Sequence, residues 1–298
     1  MALKSWLQQL AYRRFIRQSP YRKALSELPA SLLPHWRAHA KDEFTGIPDD
    51  AIFFIRAAEG LMMFFNCVKQ SQKVGGRPCA LPSKAADSVW HAWIDLPQAR
   101  FSDVDVDSFC QKHFGMTIPH IAAAQLDAEA KGTMAEALAV SLVQLRRNEG
   151  KDALSPTAPA LFTLDKRLKM PRGYSYRMTG DKLGFQSMSL LGQAYGATVF
   201  PSTFMPTELL AIGLITAPML EHYQRKQAAQ LAAHHSDTGS ALSSTTSTTS
   251  SSSDIDCDSG SRTDAGSSDN CSDSGSSSDS SSSGSSCGSS CGSSCSSS

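Results

Sequence analysis

Apolar residues recur at helical spacing through roughly the first 235 positions and then stop, so the chain reads as a folded body followed by a different kind of segment. From Pro48 to about Gln70 the pattern predicts the longest helix, with Asp49 and Asp50 in its first turn. Phe53, Phe54, Ile55, Leu61, Met62, Phe64, Phe65 and Val68 make it apolar on most faces, as befits a central packing element. Arg56, Glu59 and Asn66 interrupt it, which favours a buried helix over a membrane span. Ser83, directly after Pro82, is placed to cap a second helix that stops before Pro97 and carries the stripe Ala86, Val89, Trp90, Trp93 and Ile94. A third helix is predicted over Val106 to Phe114, ending at Gly115, and Thr133 to Glu136 reads as a capping box opening a helix that runs to about Gly150.

Prolines shape the rest. Ser19-Pro20, Leu28-Pro29 and Leu33-Pro34 are expected to cut the first forty residues into short helical pieces, because a proline disfavours helical backbone in the residue before it. The polar, proline-bearing stretch from Asn148 to Pro159 is the best internal sub-boundary. After it, Tyr174, Tyr176 and Met178 alternate before Thr179-Gly180-Asp181-Lys182, the mark of a hairpin. A last helix is expected from Pro206 to about Ala233. The predicted fold is therefore all-α or mainly α: a compact multi-helix domain over 1–235 with at most a small β-hairpin.

Composition sets the remainder apart. Residues 236–298 hold 31 Ser in 63 positions with almost no aliphatic or aromatic side chains, so nothing is available to offset the entropy cost of ordering, and a disordered C-terminal tail is expected. The formal net charge of zero conceals a division: the body has 27 Lys plus Arg against 20 Asp plus Glu, while the tail has eight Asp and one Arg. A Cys287, Cys291, Cys295 repeat in the tail lacks the paired spacing of zinc ribbons and reads as low complexity. The body's three cysteines, Cys67, Cys79 and Cys110, are an odd number that suits a reducing compartment, and the N-terminus has no secretory pattern, so a cytoplasmic location is expected.

Candidate chemistry is concentrated between residues 87 and 120. Asp87 and His91, four apart, share one helical face, where the carboxylate can fix the imidazole tautomer. Cys110 and His113 share a face of the next helix, and His120 follows the Gly115 turn. His91, Cys110, His113 and His120 would make a tetrahedral set for zinc or another divalent transition metal if the two helices pack together, with Asp87 behind them. The bland alternative is a surface pair, a buried thiol and a loop histidine. No GxSxG, Walker-type loop, GxGxxG, HExxH or zinc-finger spacing is present, and nucleic-acid binding has only the modest positive charge of the body behind it.

The residues Leu81 to Ile94, then Phe109-Cys110, Phe114-Gly115 and the His120 turn, resemble the glycine-rich domain-containing protein family, known in bacteria and plants, whose recurring element is a D-x-x-W-H helix, here Asp87, Trp90 and His91. Leu161 to Asp165 with Pro171-Arg172-Gly173-Tyr174 is similar to a later stretch of the bacterial members. The chain departs from the family in its single histidine at Ile118-Pro119-His120, where adjacent histidines are expected. The resemblance implies a location for the interesting helix and no particular chemistry. The first expectation is thus a non-enzymatic binding or scaffold domain with a protein partner, centred on Asp87, Trp90 and His91. The second is a metal-binding protein or metal-dependent hydrolase. The third is a peripheral membrane protein anchored by residues 1–18, where Trp6, Leu7, Leu10, Phe15 and Ile16 recur near helical spacing while Lys4, Arg13, Arg14 and Arg17 supply positive charge.

Overall fold

The computed structural model describes residues 2–97, 105–121, 133–180 and 182–239. The low-complexity tail beyond 239, its CxxxC repeat and the turn residue Asp181 lie outside the described residues. Residues Met1–Ser243 form one unit by their internal contacts. Among the described residues ten α-helices and one small sheet follow in order: α1 (Ala2–Gln18), α2 (Arg22–Ser26), α3 (Leu32–Glu43), α4 (Ala51–Lys73), α5 (Lys84–Ile94), α6 (Val106–Phe114), α7 (Met134–Asn148), α8 (Leu164–Leu168), β1 (Tyr174–Thr179), β2 (Lys182–Met188), β3 (Ala194–Val199), α9 (Pro206–Ala211) and α10 (Ala217–Gly239). The fold is mainly helical.

α4 is the centre. Phe54, Ile55, Ala57, Ala58, Leu61, Met62 and Phe65 are buried on several of its faces, and α1, α2, α5, α6, α7 and α8 all pack on it. By length and composition it could cross a membrane, but 61% of its most apolar window is buried within the protein, as expected of a core helix. Asp50 precedes the helix, accepting from the Ile52 N–H, so Asp49 and Asp50 lie before its first turn and not within it. Gly60 lets α5 and α8 approach closely: a Cβ there would collide with Leu164 and touch Ala86.

Three departures from the sequence expectations have local causes. Pro34 does not divide the third helix but sits in the first turn of α3, where its missing N–H has no partner to lose. The expected final helix is two, since Gly213 takes φ +72° between α9 and α10, and α10 then continues to Gly239. The hairpin gains a third strand. β1 and β2 pair antiparallel from Tyr174↔Ser187 to Thr179↔Lys182 as the alternation predicts, and the largely exposed β3 adds at the open edge through Met188↔Ala194. β3 carries Gly196 and no alternating apolar face, so it left no strand pattern to read.

The Thr133 capping box forms with both reciprocal bonds. The 148–159 loop is tied back by buried Arg146, whose Nη1 donates to the Ala153 carbonyl at 2.7 Å.

Candidate metal centre

Two interactions fix α5. Ser83 caps it, its hydroxyl accepting from the Ala86 N–H at 3.2 Å, and the same hydroxyl donates to Asp165 Oδ1 at 2.6 Å. Asp165, from α8 and 1% exposed, also accepts from the N–H groups of Lys84 (3.1 Å), Ala85 (3.0 Å) and Tyr174 (3.0 Å). A buried carboxylate thus closes the positive end of the α5 dipole and ties it to the start of β1. Burial raises this carboxyl above its ordinary range, while the Ser83 hydroxyl and the three backbone N–H groups oppose the shift. Gly173 is required opposite it, since a Cβ there would stand 2.7 Å from Asp165 Oδ2. On the other flank, buried Trp36 of α3 donates its Nε1–H to Ser88 Oγ at 3.1 Å and locks α3 to α5.

With the helix so held, Val89, Trp90 and Trp93 face the core and the half-buried Asp87 and His91 face outward. The α3–α5 lock brings Glu43, at the last turn of α3, to His91: Nδ1 lies 2.7 Å from both Glu43 oxygens. The other ring nitrogen faces a second imidazole, His91 Nε2 to His120 Nε2 being 3.1 Å. Asp87 Oδ1 stands 3.6 Å from the first and 3.7 Å from the second. His120 reaches this point because Gly115 ends α6 in a left-handed turn (φ +78°), Ile118 is buried, and the His120 and buried Trp90 rings meet in a T-shaped contact at 4.7 Å between centroids.

Asp87, His91 and His120 therefore converge, each offering one donor atom within 4.8 Å of the others. Glu43 accepts from the Nδ1–H of His91, so in the neutral imidazole the Nε2 lone pair is the one left for the cluster. Two ligands about 2.1 Å from one ion stand about 3.0 Å apart at right angles and about 3.4 Å apart in a tetrahedron. The 3.1 Å spacing falls inside that range, and the 3.6 and 3.7 Å spacings exceed its upper end by only a few tenths of an ångström. Burial works against the imidazolium at His91, but Asp87 and then Glu43 outweigh it and hold the group above the ordinary histidine value, so this position favours positive charge.

The remaining sequence candidates go elsewhere. Cys110 is fully buried on α6 among core side chains, its thiol pushed up to about 12 by burial and by Asp107 and Asp105. His113 turns away to Glu27, Nε2 to Oε2 being 2.9 Å, and burial lowers its pKa. Neither joins the group of three. Asp87 supplies a donor atom directly, and the orienting place behind His91 belongs to Glu43. Sequence reading missed Glu43, which is 48 positions from His91, and Asp165; an acid in the last turn of a helix is the only local mark of the former. Trp90, the aromatic of the D-x-x-W-H element, is 4% exposed and supports His120 from inside.

Over residues 54–194, just under half of the chain, the protein is similar to the family described as UCP032817-like. That span includes Asp87, His91, His120 and Asp165 and stops short of Glu43. No curated protein and no solved structure matches the chain.

Proposed function

We propose that the protein binds one divalent transition-metal ion, zinc or iron(II) being the best suited, through His91 Nε2, His120 Nε2 and Asp87 Oδ1. The observation that carries this reading is the convergence of two imidazole nitrogens and a carboxylate oxygen at 3.1, 3.6 and 3.7 Å, with a second carboxylate on the far nitrogen of His91. Three protein ligands leave coordination positions open, the arrangement of a reactive metal and not of a closed structural one. An ion held there would polarise a bound water toward hydroxide near neutral pH, and a metal-dependent hydrolase is the activity that follows. The free thiols of Cys67, Cys79 and Cys110 suit a reducing, cytoplasmic setting.

Elemental analysis of the purified full chain tests the reading. About one equivalent of zinc, iron or manganese is expected in the wild type, and less than about a tenth in His91→Ala and in His120→Ala. A wild type without metal, or variants that keep it, would remove the proposal.

A further inference from the structure

α1 presents two unlike faces. At 100° per residue, Tyr12, Phe15 and Ile16 lie on one side and pack against the core, with Arg56 over the Phe15 ring at 5.8 Å. Trp6, Leu7, Leu10, Arg13, Arg14 and Arg17 fall together in an opposite sector of roughly 120°. On that outward side Trp6, Leu7 and Leu10 are 55%, 52% and 44% exposed, and the three arginines are exposed as well. Among the described residues none of Arg13, Arg14 and Arg17 has a hydrogen-bond or ion-pair partner, and the sequence has no acid before Glu27. The apolar half comes first and the cationic half follows along the same strip.

A groove of about 400 Å³ runs beside this strip, between α1 and the α2–α3 connection. Ile16, Leu25, Leu33 and Phe54 line it, and Arg13 and Arg17 belong both to its wall and to the outward sector. Apolar volume bounded by unpaired guanidinium groups suits an anionic amphiphile: the guanidinium forks match phosphate or carboxylate oxygens, and the lining takes hydrocarbon.

We infer that the outward face of α1 is a docking surface for an anionic lipid bilayer. Trp6, Leu7 and Leu10 enter the boundary between headgroups and acyl chains, Arg13, Arg14 and Arg17 pair with headgroup phosphates, and the groove receives part of a neighbouring lipid chain. Isolated exposed apolar residues are ordinary on soluble proteins. Here three of them share one helix face with three unpaired cations, and that coincidence identifies the partner's charge. The surface involves none of the metal-cluster residues, so the two proposals stand or fall separately.

Co-sedimentation of the full chain with vesicles of phosphatidylcholine alone, and of phosphatidylcholine with phosphatidylserine, tests the inference. Binding to the anionic vesicles only, weakening as salt rises, is expected. Replacing the arginines together (Arg13→Gln, Arg14→Gln, Arg17→Gln) should weaken it roughly a hundredfold, at about fivefold per charge. The variant Trp6→Ser, Leu7→Ser, Leu10→Ser should also lose most binding, and both should keep the wild-type circular dichroism, since these side chains are outside the core. Equal binding to neutral vesicles, no binding to either kind, wild-type binding by either variant, or preference for duplex DNA over anionic vesicles would each overturn the inference.

Discussion

α5 carries a carboxylate constellation at its N-terminus and another on its outer face, and the two are built on opposite terms. At the N-terminus Asp165 is surrounded by donors: one hydroxyl and three N–H groups meet its two oxygens, and it is 1% exposed. On the outer face acceptors outnumber donors. With the Nδ1–H of His91 directed at Glu43, the Nε2 of His91, the Nε2 of His120 and Oδ1 of Asp87 stand within 3.7 Å of one another on a half-buried surface. A satisfied buried carboxylate rigidifies a fold; a half-exposed convergence of lone pairs calls for a cation. The first arrangement holds the second in place, because Asp165 and Ser83 fix the helix on which Asp87 and His91 stand.

The sharpest break in this comparison is Asp165→Ala. It strands four donors, those of Ser83 and Ala85 buried and those of Lys84 and Tyr174 partly so, and urea unfolding should show a loss of about 3 kcal/mol whether or not metal is present. At the outer face the dependence is reversed. Zinc at a hundredfold excess over its dissociation constant should stabilise the wild type by about 2.7 kcal/mol in a thermal or urea titration, and His120→Ala should show no such gain. Glu43→Gln separates orientation from ligation. Metal affinity should fall ten- to a hundredfold by competition with a chelating dye, while the metal-free stability changes by less than about 0.5 kcal/mol because Glu43 is half exposed.

The smallest effect concerns His113, a histidine in the opposite state to His91. Burial depresses its pKa against the pull of Glu27, so the folded protein prefers it neutral. Its contribution to stability is present above the ordinary histidine value of about 6.5 and is lost as pH falls through the lower folded value. Metal-free wild type should therefore lose a little more stability than His113→Gln between about pH 6.5 and pH 5, by less than about 1 kcal/mol.

Much of the fold was legible because its signals are local. The Ser83 cap, the Gly115 stop and the Thr133 capping box each depend on residues within four positions, and the buried stripe of α4 stands out in composition alone. Asp87 and His91 shared a helix face for the same reason. Long-range geometry decided the rest. Nothing near Cys110 told that its thiol would be core packing, and nothing near Glu43 told that the Trp36–Ser88 hydrogen bond would bring it to His91. Asp165 sat in a stretch singled out by resemblance, yet its partners at Ser83, Lys84 and Ala85 are some eighty positions away. β3 was hidden for a different reason: a largely exposed edge strand has no buried face to impose alternation.

X-ray absorption at the zinc edge of the zinc-loaded full chain tests the central claim most directly, because nitrogen and oxygen ligands differ from sulfur in distance. Scattering from nitrogen and oxygen at about 2.0–2.1 Å is expected, with the outer features of two imidazole rings and no sulfur, all lost in His91→Ala. A sulfur contribution at about 2.3 Å, which would place the ion on Cys110 or on the thiols of the C-terminal segment, would contradict it.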